Sequence, residues 1–290
     1  MTVLGATFRP QYPPEKLREV VRAAEDAGLE ELWLWEDCFL ESGLATASAA
    51  LAWSDRLRVG VGLAPVPLRN VALTAMETAT LDRLFPGRFQ LGVGHGVQDW
   101  MGQVGARAQS PLTLLREYLD ALRALLAGEE VSREGRYVRL DKVKLDWPPA
   151  DPTRVYAGGT GPKTLKLTGE AADGTILDAD LTVDRVRTAV TLINEAREAA
   201  GRPGPHHFTV YAHAATGPDA TERLRRELAT WGHDPSADLG IAGDAADFAK
   251  GIERLVAAGA DTVVLQPTAD DPDPAGFMRF VAEEVRPLVA

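Results

Sequence analysis

The sequence has only one cysteine, Cys38, in 290 residues, so an intrachain disulfide is excluded. No uncharged apolar run approaches the roughly 20 residues that a membrane-spanning helix requires. The first residues, MTVLGATFRPQ, lack the basic region followed by an apolar stretch that defines a secretory signal. We therefore expect no membrane partner and a cytoplasmic location.

Basic residues are in the minority. The chain has 31 Lys and Arg against 42 Asp and Glu, which gives a formal net charge of −11. Because nucleic acids and anionic membranes are bound through concentrated Lys and Arg, both are excluded as partners. The hydrophobic share of 45% supports a sizeable core. We expect a small-molecule substrate, and an anionic one would need basic residues gathered locally.

Metal-binding and hydrolase signatures are also missing. His206, His207 and His213 are close in sequence, but no histidine or cysteine pair has the H-x-x-x-H or C-x-x-C spacing. His206 and His207 are predicted to precede a strand, at the end of the sheet opposite the expected active site. There is no G-x-S-x-G nucleophile turn. We therefore expect neither a metal site nor a serine hydrolase.

The chain does contain a repeated alternation of short apolar runs with helical patterns. Eight runs are predicted as strands: Val3–Phe8, Leu32–Trp35, Leu57–Leu63, Phe89–Val93, Arg154–Ala157, Gly174–Leu177, Phe208–Ala214 and Thr262–Gln266. Helices between successive strands imply a parallel sheet with right-handed crossovers. We predict an α/β protein with a single domain over residues 1–290, a (β/α)8 TIM barrel, and a doubly wound open sheet is the alternative.

One segment, GEEVSREGRYVRLDKVKLDWPP, interrupts this alternation after the helix that follows the fourth strand. Tyr137 and Arg139 alternate with Val138 and Leu140, which is typical of a strand with two different faces. We predict a β-hairpin insertion that lies across the barrel and is not one of its strands.

Six strands end at polar, acidic or glycine-rich clusters. The segments are LWLWEDCF, VGVGLAPVPLRN, RFQLGVGHGVQDW, VYAGGTGPK, GTILDAD and VVLQPTADD. In (β/α)8 barrels the loops that follow the strands build the active site. The sequence therefore predicts an active site at the carboxyl ends of the strands.

In RFQLGVGHGVQDW, glycines surround a histidine. Gly92 and Gly94 flank Val93 within the strand, which suits the close approach of a flat ring to the backbone. His95 follows at the strand end, next to Gly96, and is a candidate hydrogen-bond donor or proton-transfer group. A histidine that only packs or caps is the alternative.

The segment YAGGTGPK predicts an anion-binding turn. A strand ends and a helix begins within the run Gly158, Gly159, Thr160, Gly161, Pro162 and Lys163. Glycines leave backbone N–H groups unshielded, and a helix N-terminus adds positive potential, so the turn suits a phosphate. A tight turn that needs glycine for its backbone is the alternative. The spacing matches neither the dinucleotide-binding G-x-G-x-x-G motif nor a P-loop.

The segment LWLWEDCF ends in two carboxylates. Adjacent strand residues point to opposite faces, so only one of Glu36 and Asp37 is expected to face the barrel axis. That residue is a candidate acid, base or hydrogen-bond acceptor. Cys38 is expected to be unreactive, because nothing near it in sequence would lower the pKa of its thiol.

In this order, LWLWEDCF, PLRNVALTAMETATLDRLFPGRFQLGVGHG, VRLDKVKL and YAGGTGPKTLKLTGEAADGTIL resemble the luciferase-like superfamily of flavin- and deazaflavin-dependent oxidoreductases. The resemblance covers most of the chain. It is greatest to the branch that uses coenzyme F420, an 8-hydroxy-5-deazaflavin, which includes methylenetetrahydromethanopterin reductase and relatives that act as glucose-6-phosphate dehydrogenases. It implies a coenzyme ring over the carboxyl ends of the strands, near Gly94 and Gly96, and a phosphate at Gly158–Lys163.

The resemblance also implies details of strands two and three. A cis peptide before a residue other than proline is expected within Val61, Gly62, Leu63 and Ala64, as a bulge behind the ring. An Asp-His pair is expected at the end of strand two, where Asp37 matches the aspartate and Cys38 stands at the histidine position. The resemblance therefore leaves the proton donor open, with Glu36, Asp37 and His95 as the candidate catalytic residues.

We predict an oxidoreductase that transfers a hydride between coenzyme F420 and a small organic substrate. The alternative within the superfamily is a two-component monooxygenase, which receives reduced FMN from a separate reductase. An alternative of another class is a catalytically silent barrel that binds a flavin. The resemblance further implies a homodimer.

Overall fold

The fold is built from two sheets, a large parallel one and a small antiparallel one. The computed structural model describes residues 2–151, 153–202 and 204–289. Its strands are β1 Val3–Thr7, β2 Glu31–Leu34, β3 Arg58–Pro65, β4 Phe89–Gly94, β5 Val131–Glu134, β6 Arg139–Val143, β7 Val155–Gly158, β8 Gly174–Leu177, β9 His207–Thr216, β10 Ile241–Gly243 and β11 Thr262–Pro267.

Eight of these strands close into a barrel. They follow one another in the order β1-β2-β3-β4-β7-β8-β9-β11, and β11 pairs back with β1. Every one of these pairs is parallel. The (β/α)8 prediction is therefore confirmed, and the doubly wound open sheet is wrong. The short strand β10, which was not predicted, pairs with the carboxyl end of β9.

Helices connect the barrel strands and cover the barrel. They are α1 Leu17–Ala27, α2 Gly43–Ala52, α3 Val71–Leu84, α4 Gln98–Gln103, α5 Pro111–Leu126, α6 Pro162–Ala171, α7 Val183–Ala199, α8 Ala220–Thr230, α9 Ala245–Ala257 and α10 Pro274–Arg279. Short 3-10 turns occupy Pro14–Lys16, Val66–Leu68 and Arg286–Leu288, and a π-helical segment occupies Phe280–Val285. Within the described ranges, no helix is both long enough and apolar enough to cross a membrane.

The first helix illustrates how the sequence specifies these elements. Leu17, Val20 and Val21 are buried at helical spacing against the barrel. The helix ends at Gly28, whose φ of 78° lies in the left-handed region that glycine adopts without steric cost. Both features were predicted from the sequence.

Aromatic side chains fill the inside of the barrel and form a floor beneath its mouth. The Trp33 ring meets Tyr156 and Tyr211 edge to face, with centroid separations of 6.3 and 6.0 Å. Its indole N–H donates to Glu31 at 2.8 Å, so the buried donor is satisfied. A side chain at Gly60 would place its Cβ 2.4 Å from this ring. The glycine is therefore required by packing.

The insertion is an antiparallel hairpin of β5 and β6, as predicted, and it follows α5. One carboxylate attaches it to the barrel layer. Glu117 of α5 accepts backbone N–H bonds from Arg136, Tyr137 and Val138 at 2.8–3.0 Å. Burial raises the pKa of Glu117, but these hydrogen bonds outweigh that effect and the net pKa is lowered. The hairpin is thus fixed by charge-assisted bonds.

Candidate active site at the carboxyl ends of the barrel strands

A cavity of about 490 Å³ opens at the carboxyl ends of the strands, and we call it the mouth cavity. Its wall includes residues from the ends of β2, β3, β4, β7, β8, β9 and β11. Its volume lies within the range usual for small-molecule sites. Two cavities of about 610 and 470 Å³ lie at the opposite end, around the strand starts. The mouth cavity is the better candidate, because barrel active sites are formed at the carboxyl ends.

The structure brings most of the predicted site residues together. Those that line the mouth cavity are Glu36, Asp37, Gly62, Leu63, His95, Gly96, Gly158, Gly159, Thr160 and Gly161. The predicted residues outside its described lining are Val61, Ala64, Gly94, Pro162 and Lys163. Their part in binding, if any, is through the backbone or through the position they give to neighbours.

The wall contributed by β3 contains the irregularity that the resemblance implied. The peptide between Gly62 and Leu63 is cis, and the register of β3 against β4 shifts between Val61 and Ala64. The Tyr211 hydroxyl donates to the Gly62 carbonyl at 3.3 Å from across the barrel. The cis peptide is therefore confirmed at the predicted place, and it forms part of the cavity surface.

The glycines of β4 do not leave the open backbone that was expected. A Cβ at Gly92 would lie 2.5 Å from the Ile176 side chain, and one at Gly94 would lie 2.7 Å from Leu63. Both spaces are thus already filled by neighbouring side chains. A ring over this strand would therefore meet Leu63 and Ile176, which line the cavity, before the backbone of Gly92 and Gly94. A role of these glycines in cofactor binding stays a prediction.

The glycine turn, residues 158–161, joins β7 to α6. Among the described residues no side chain caps Gly161, so the N–H groups of the first turn of α6 are free for a ligand. A Cβ at Gly161 would have no neighbour within 4 Å, whereas one at Gly159 would lie 2.7 Å from Thr164. Lys163 is exposed at the start of the helix. This geometry fits the phosphate of a cofactor.

His95 lies beside this turn. Its Nε2 is 2.9 Å from the Thr164 hydroxyl, on the first turn of α6. Burial lowers the pKa of His95, and the Pro111 backbone opposes this only weakly. Within the described chain, its buried Nδ1 makes no hydrogen bond of normal geometry. His95 is therefore a neutral group that positions the turn and can bond a ligand.

Glu36 serves the protein framework. The Arg69 guanidinium donates to both carboxylate oxygens, and the Gly43 N–H donates to Oε2 at 2.8 Å. Because Gly43 begins α2, the carboxylate binds at the N-terminus of that helix. Because both oxygens are engaged by these donors, the geometry disfavours Glu36 as a proton donor to a ligand.

Asp37 faces the mouth cavity, and its environment is less complete. The Trp35 indole N–H donates to Oδ2 at 2.8 Å. Burial raises the pKa of Asp37, while the Trp35 bond and the nearby Arg9 charge oppose the rise. Cys38 is partly exposed, and burial followed by the charges of Glu36 and Asp37 raises the pKa of its thiol. Its expected lack of reactivity agrees with this environment.

Sequence reasoning missed a second polar group, at the ends of β8 and β9. Asp178, Asp180 and His213 line the cavity, together with Gln266 of β11. The segment GTILDAD marks an acidic strand end, but its sequence alone assigns no role to its two aspartates. His213 is close in sequence to His206 and His207, which lie just before and at the start of β9, whereas His213 lies towards the other end of that strand. A rise of about 3.3 Å per residue puts His213 roughly 20 Å from His207, so strand length would have separated them.

No set of three or more His, Cys, Asp or Glu residues in the described part of the chain has the arrangement of a metal site. The mouth cavity has an apolar floor, a turn suited to an anion on one side, and carboxylates and histidines on the other.

The (β/α)8 barrel and its mouth cavity are features of barrels that bind an organic cofactor. Comparison with known families identifies which family of such barrels this is. The family model described as "Luciferase-like monooxygenase" matches residues 2–285. The chain belongs to this family, as the resemblance indicated.

Individual relatives are more distant. A 5,10-methylenetetrahydromethanopterin reductase from Methanolobus tindarius is 30% identical over 210 residues, which are 72% of this chain and 64% of the relative. An F420-dependent glucose-6-phosphate dehydrogenase from Nakamurella multipartita is 30% identical over 57% of this chain and 52% of the relative. The chain thus matches less than two thirds of the length of either relative.

Among solved structures, an F420-dependent secondary alcohol dehydrogenase in complex with an F420-acetone adduct has a TM-score of 0.88. The match covers 100% of this chain and 99% of that chain at 23% identity. At this identity the likeness supports the fold, and the function is a separate argument.

Proposed function

We propose that the protein is an oxidoreductase that transfers a hydride between coenzyme F420 and a small organic substrate. The observation that supports this proposal most is the mouth cavity, whose wall contains both the cis peptide at Gly62–Leu63 and the glycine turn at the N-terminus of α6, which has no side-chain cap. Two relatives whose names specify F420 dependence, one in sequence and one in structure, support the coenzyme. The bound coenzyme would supply the hydride chemistry.

The chain's own residues would hold the coenzyme at two places. Leu63 and the Gly62–Leu63 peptide offer an apolar surface behind the ring, supported from below by Tyr211. The glycine turn offers free N–H groups and the positive end of α6 to a phosphate. His95 would hold that turn through Thr164. These contacts position the coenzyme and exclude water from one of its faces.

Asp37 would border the substrate. Its Oδ2 is held by the Trp35 indole N–H, which leaves Oδ1 able to accept a hydrogen bond from a substrate hydroxyl. Cys38, at the position of the family histidine, has a raised pKa and would remain a thiol. The proton that accompanies the hydride must therefore come from another group.

A binding titration tests the coenzyme. Trp35, Trp100 and Trp231 line the cavity, so a bound ring should quench intrinsic fluorescence. We expect micromolar binding of F420 and none of FMN. Binding of FMN alone would overturn the proposal in favour of a reduced-FMN monooxygenase, the second candidate that the family description supports. Binding of neither would overturn both the F420 and the FMN proposals.

A charge pair of variants tests the turn. Gly161→Asp adds a carboxylate where a Cβ has no neighbour within 4 Å, and Gly161→Asn adds the same shape without the charge. At about 4 Å, like charges cost about 1 kcal/mol in water and about 4 kcal/mol near a protein surface. We expect the aspartate to weaken F420 binding at least about fivefold relative to asparagine. Equal affinities would remove the turn from the coenzyme site.

A homodimer, and a partner reductase in the FMN case, remain part of the proposal.

A further inference from the structure

Two carboxylates at the end of β8 form part of the mouth cavity and have no role in holding the coenzyme as proposed above. Asp178 directly follows Leu177, the last residue of the strand, and Asp180 lies two positions further on. Both line the cavity. Asp178 is accessible from the cavity space, and its one hydrogen bond within the described residues is a long contact of 3.4 Å from the Asp180 N–H to Oδ1.

Asp180 is held by one histidine and lies beside a second. His213 Nε2 bonds Asp180 Oδ1 at 2.9 Å, whereas His233 Nε2 lies 2.9 Å from the same oxygen without hydrogen-bond geometry. His213 is buried in β9, with only 2% of its surface exposed, and its Nδ1 is 3.5 Å from the Gln266 amide. His233 comes from the loop after α8. The His213 bond holds Asp180 as a hydrogen-bond acceptor.

Asp178 has the opposite environment. The Asp178 side chain is exposed to the cavity space, but the protein atoms around it desolvate the carboxylate and raise its pKa; the charge of Asp180 adds to the rise, and the Asp180 N–H and His213 oppose it. The pKa of Asp180 is lowered, chiefly by its hydrogen bond from His213. Tyr211 lines the same cavity, and its own pKa is raised well above the usual value by burial. Paired carboxylates with opposed environments are typical of acid–base sites.

The position of Asp178 relative to the floor completes the geometry. Asp178 lines the mouth cavity together with Leu63 and Tyr211, whose hydroxyl bonds the carbonyl of the cis peptide. It therefore shares the cavity with the surface on which a ring would lie. Of the other candidates, His95 is engaged with Thr164 at the glycine turn and Glu36 with Arg69. Asp37, bonded only through Oδ2 to Trp35, is the rival proton donor that the second test below separates from Asp178.

We propose that Asp178 exchanges the proton with the substrate, and that His213 holds Asp180 beside it as a fixed charge. This inference rests on the proposed hydride transfer. In a carbonyl reduction the C=O π bond breaks, a C–H bond forms with the hydride that the coenzyme supplies, and an O–H bond forms with the Asp178 proton. Asp178 is left as a carboxylate, and water restores its proton. Alcohol oxidation is the reverse, with the carboxylate as base.

The first test observes Asp178 without substrate or coenzyme. The carboxyl groups of protein labelled with ¹³C-aspartate are titrated by NMR, and Asp178→Asn identifies the signal. We expect this signal to titrate above the usual aspartate range, and Asp180→Asn to move its midpoint to lower pH because a neighbouring negative charge is removed. Titration within or below the usual range would overturn the inference.

The second test measures hydride transfer between F420 and an alcohol or ketone found by a screen of short secondary alcohols and their ketones. We expect Asp178→Asn to bind F420 normally, to lose about 10²–10⁴-fold in transfer rate, and to lose the part of the pH–rate profile that reports titration of Asp178, which we call the pH limb. Asp178→Glu should restore part of the rate and part of the pH limb. Asp37→Asn should instead raise KM and keep the pH limb. Asp184→Asn, at an exposed aspartate outside the cavity lining, is the matched control and should change nothing.

The outcomes separate the two claims. A wild-type protein that binds no F420 overturns the proposed function and the inference with it. An Asp178→Asn variant that binds F420 and keeps both the rate and the pH limb overturns the inference alone.

Discussion

A buried ion pair beneath the mouth cavity provides a quantitative test of the structure. Arg9, which follows β1, donates to Glu227 of α8 at 2.6 Å and to the Pro267 carbonyl at 2.8 Å. The two charged side chains are only 1% and 6% exposed. Glu227 also accepts the Trp231 indole N–H at 2.8 Å and the Ala269 N–H at 3.0 Å. The ion pair thus links the segment that follows β1 to Trp231, which lines the mouth cavity.

Arg9→Met should be strongly destabilising, because it leaves the Glu227 carboxylate buried without its counter-ion. Breaking such a pair from one side costs about 3–5 kcal/mol. The double variant Arg9→Met/Glu227→Gln removes both charges and keeps an amide oxygen for Trp231 or Ala269. We expect it to recover about 2 kcal/mol or more of the loss. The free energy of unfolding is measured by urea denaturation, followed by tryptophan fluorescence.

The pH dependence of stability gives a second test of the same ion pair. Burial raises the pKa of Glu227, but Arg9 and the hydrogen bonds outweigh it, so the net pKa is lowered. The stability that this group contributes is therefore present above the unfolded pKa of about 4.3 and is lost as pH falls through the folded value. In Arg9→Met the Trp231 and Ala269 bonds remain, but the Arg9 charge no longer opposes burial, so protonation of Glu227 relieves part of the penalty. The difference between wild type and variant should shrink on acidification.

Two results would refute this reasoning. A loss in Arg9→Met below about 1 kcal/mol would mean that the carboxylate is not desolvated as the structure shows. A double variant less stable than Arg9→Met would mean that the pair's geometry, and not its charge balance, controls stability.

Two further predictions concern the opposite end of the barrel and the helix layer. Burial first, and then Arg197 and Arg202, lower the pKa of His206 to about 4. Between about pH 6.5 and 4 the unfolded chain therefore binds one more proton than the folded one, and the free energy of unfolding should fall by about 3 kcal/mol as the pH is lowered through this window. His206→Gln can keep the bond to Thr175 and should remove most of this fall, measured by urea denaturation at several pH values. Gly169→Ala would place a Cβ 2.3 Å from the Ile193 carbonyl of α7 and should lower the free energy of unfolding by about 1–3 kcal/mol, measured by thermal unfolding. Gly161→Ala, which has open space around it, is the control and should be near neutral. Equal effects of the two substitutions would contradict the close packing of α6 on α7.

The barrel could be predicted because its signals are local and repeated. Leu17, Val20 and Val21 repeat at helical spacing, and apolar runs such as Leu32–Trp35 alternate with helices, which leaves few topologies open. The hairpin was readable from its strict alternation. The elements that were missed, α4 and β10, are short, and tertiary contacts stabilise them more than any periodic pattern does.

The site was predictable in location but not in its side-chain geometry. The end of β4 was located correctly, yet the space above Gly94 depends on Leu63, which is distant in sequence. The expectation that only one of Glu36 and Asp37 faces the axis fails, because both lie beyond the end of β2, where strand alternation no longer applies, and both line the cavity. The partner Arg69, which engages Glu36, could not be inferred from spacing. The pairing of Asp180 with His213 joins two strands, and a single sequence contains no record of that contact.

The filled glycine positions around the mouth cavity have an evolutionary consequence. Leu63 occupies the space that a side chain at Gly94 would need, with a hypothetical Cβ atom 2.7 Å from it. A larger residue at position 94 is therefore tolerated only when position 63 becomes smaller at the same time. At Gly158 a Cβ would also lie 2.7 Å from the Ile176 carbonyl oxygen, so a smaller residue at position 63 would not make room there. Family members should show correlated sizes at positions 63 and 94. The depth of the coenzyme floor would then change through paired substitutions, and single-site libraries would not sample it.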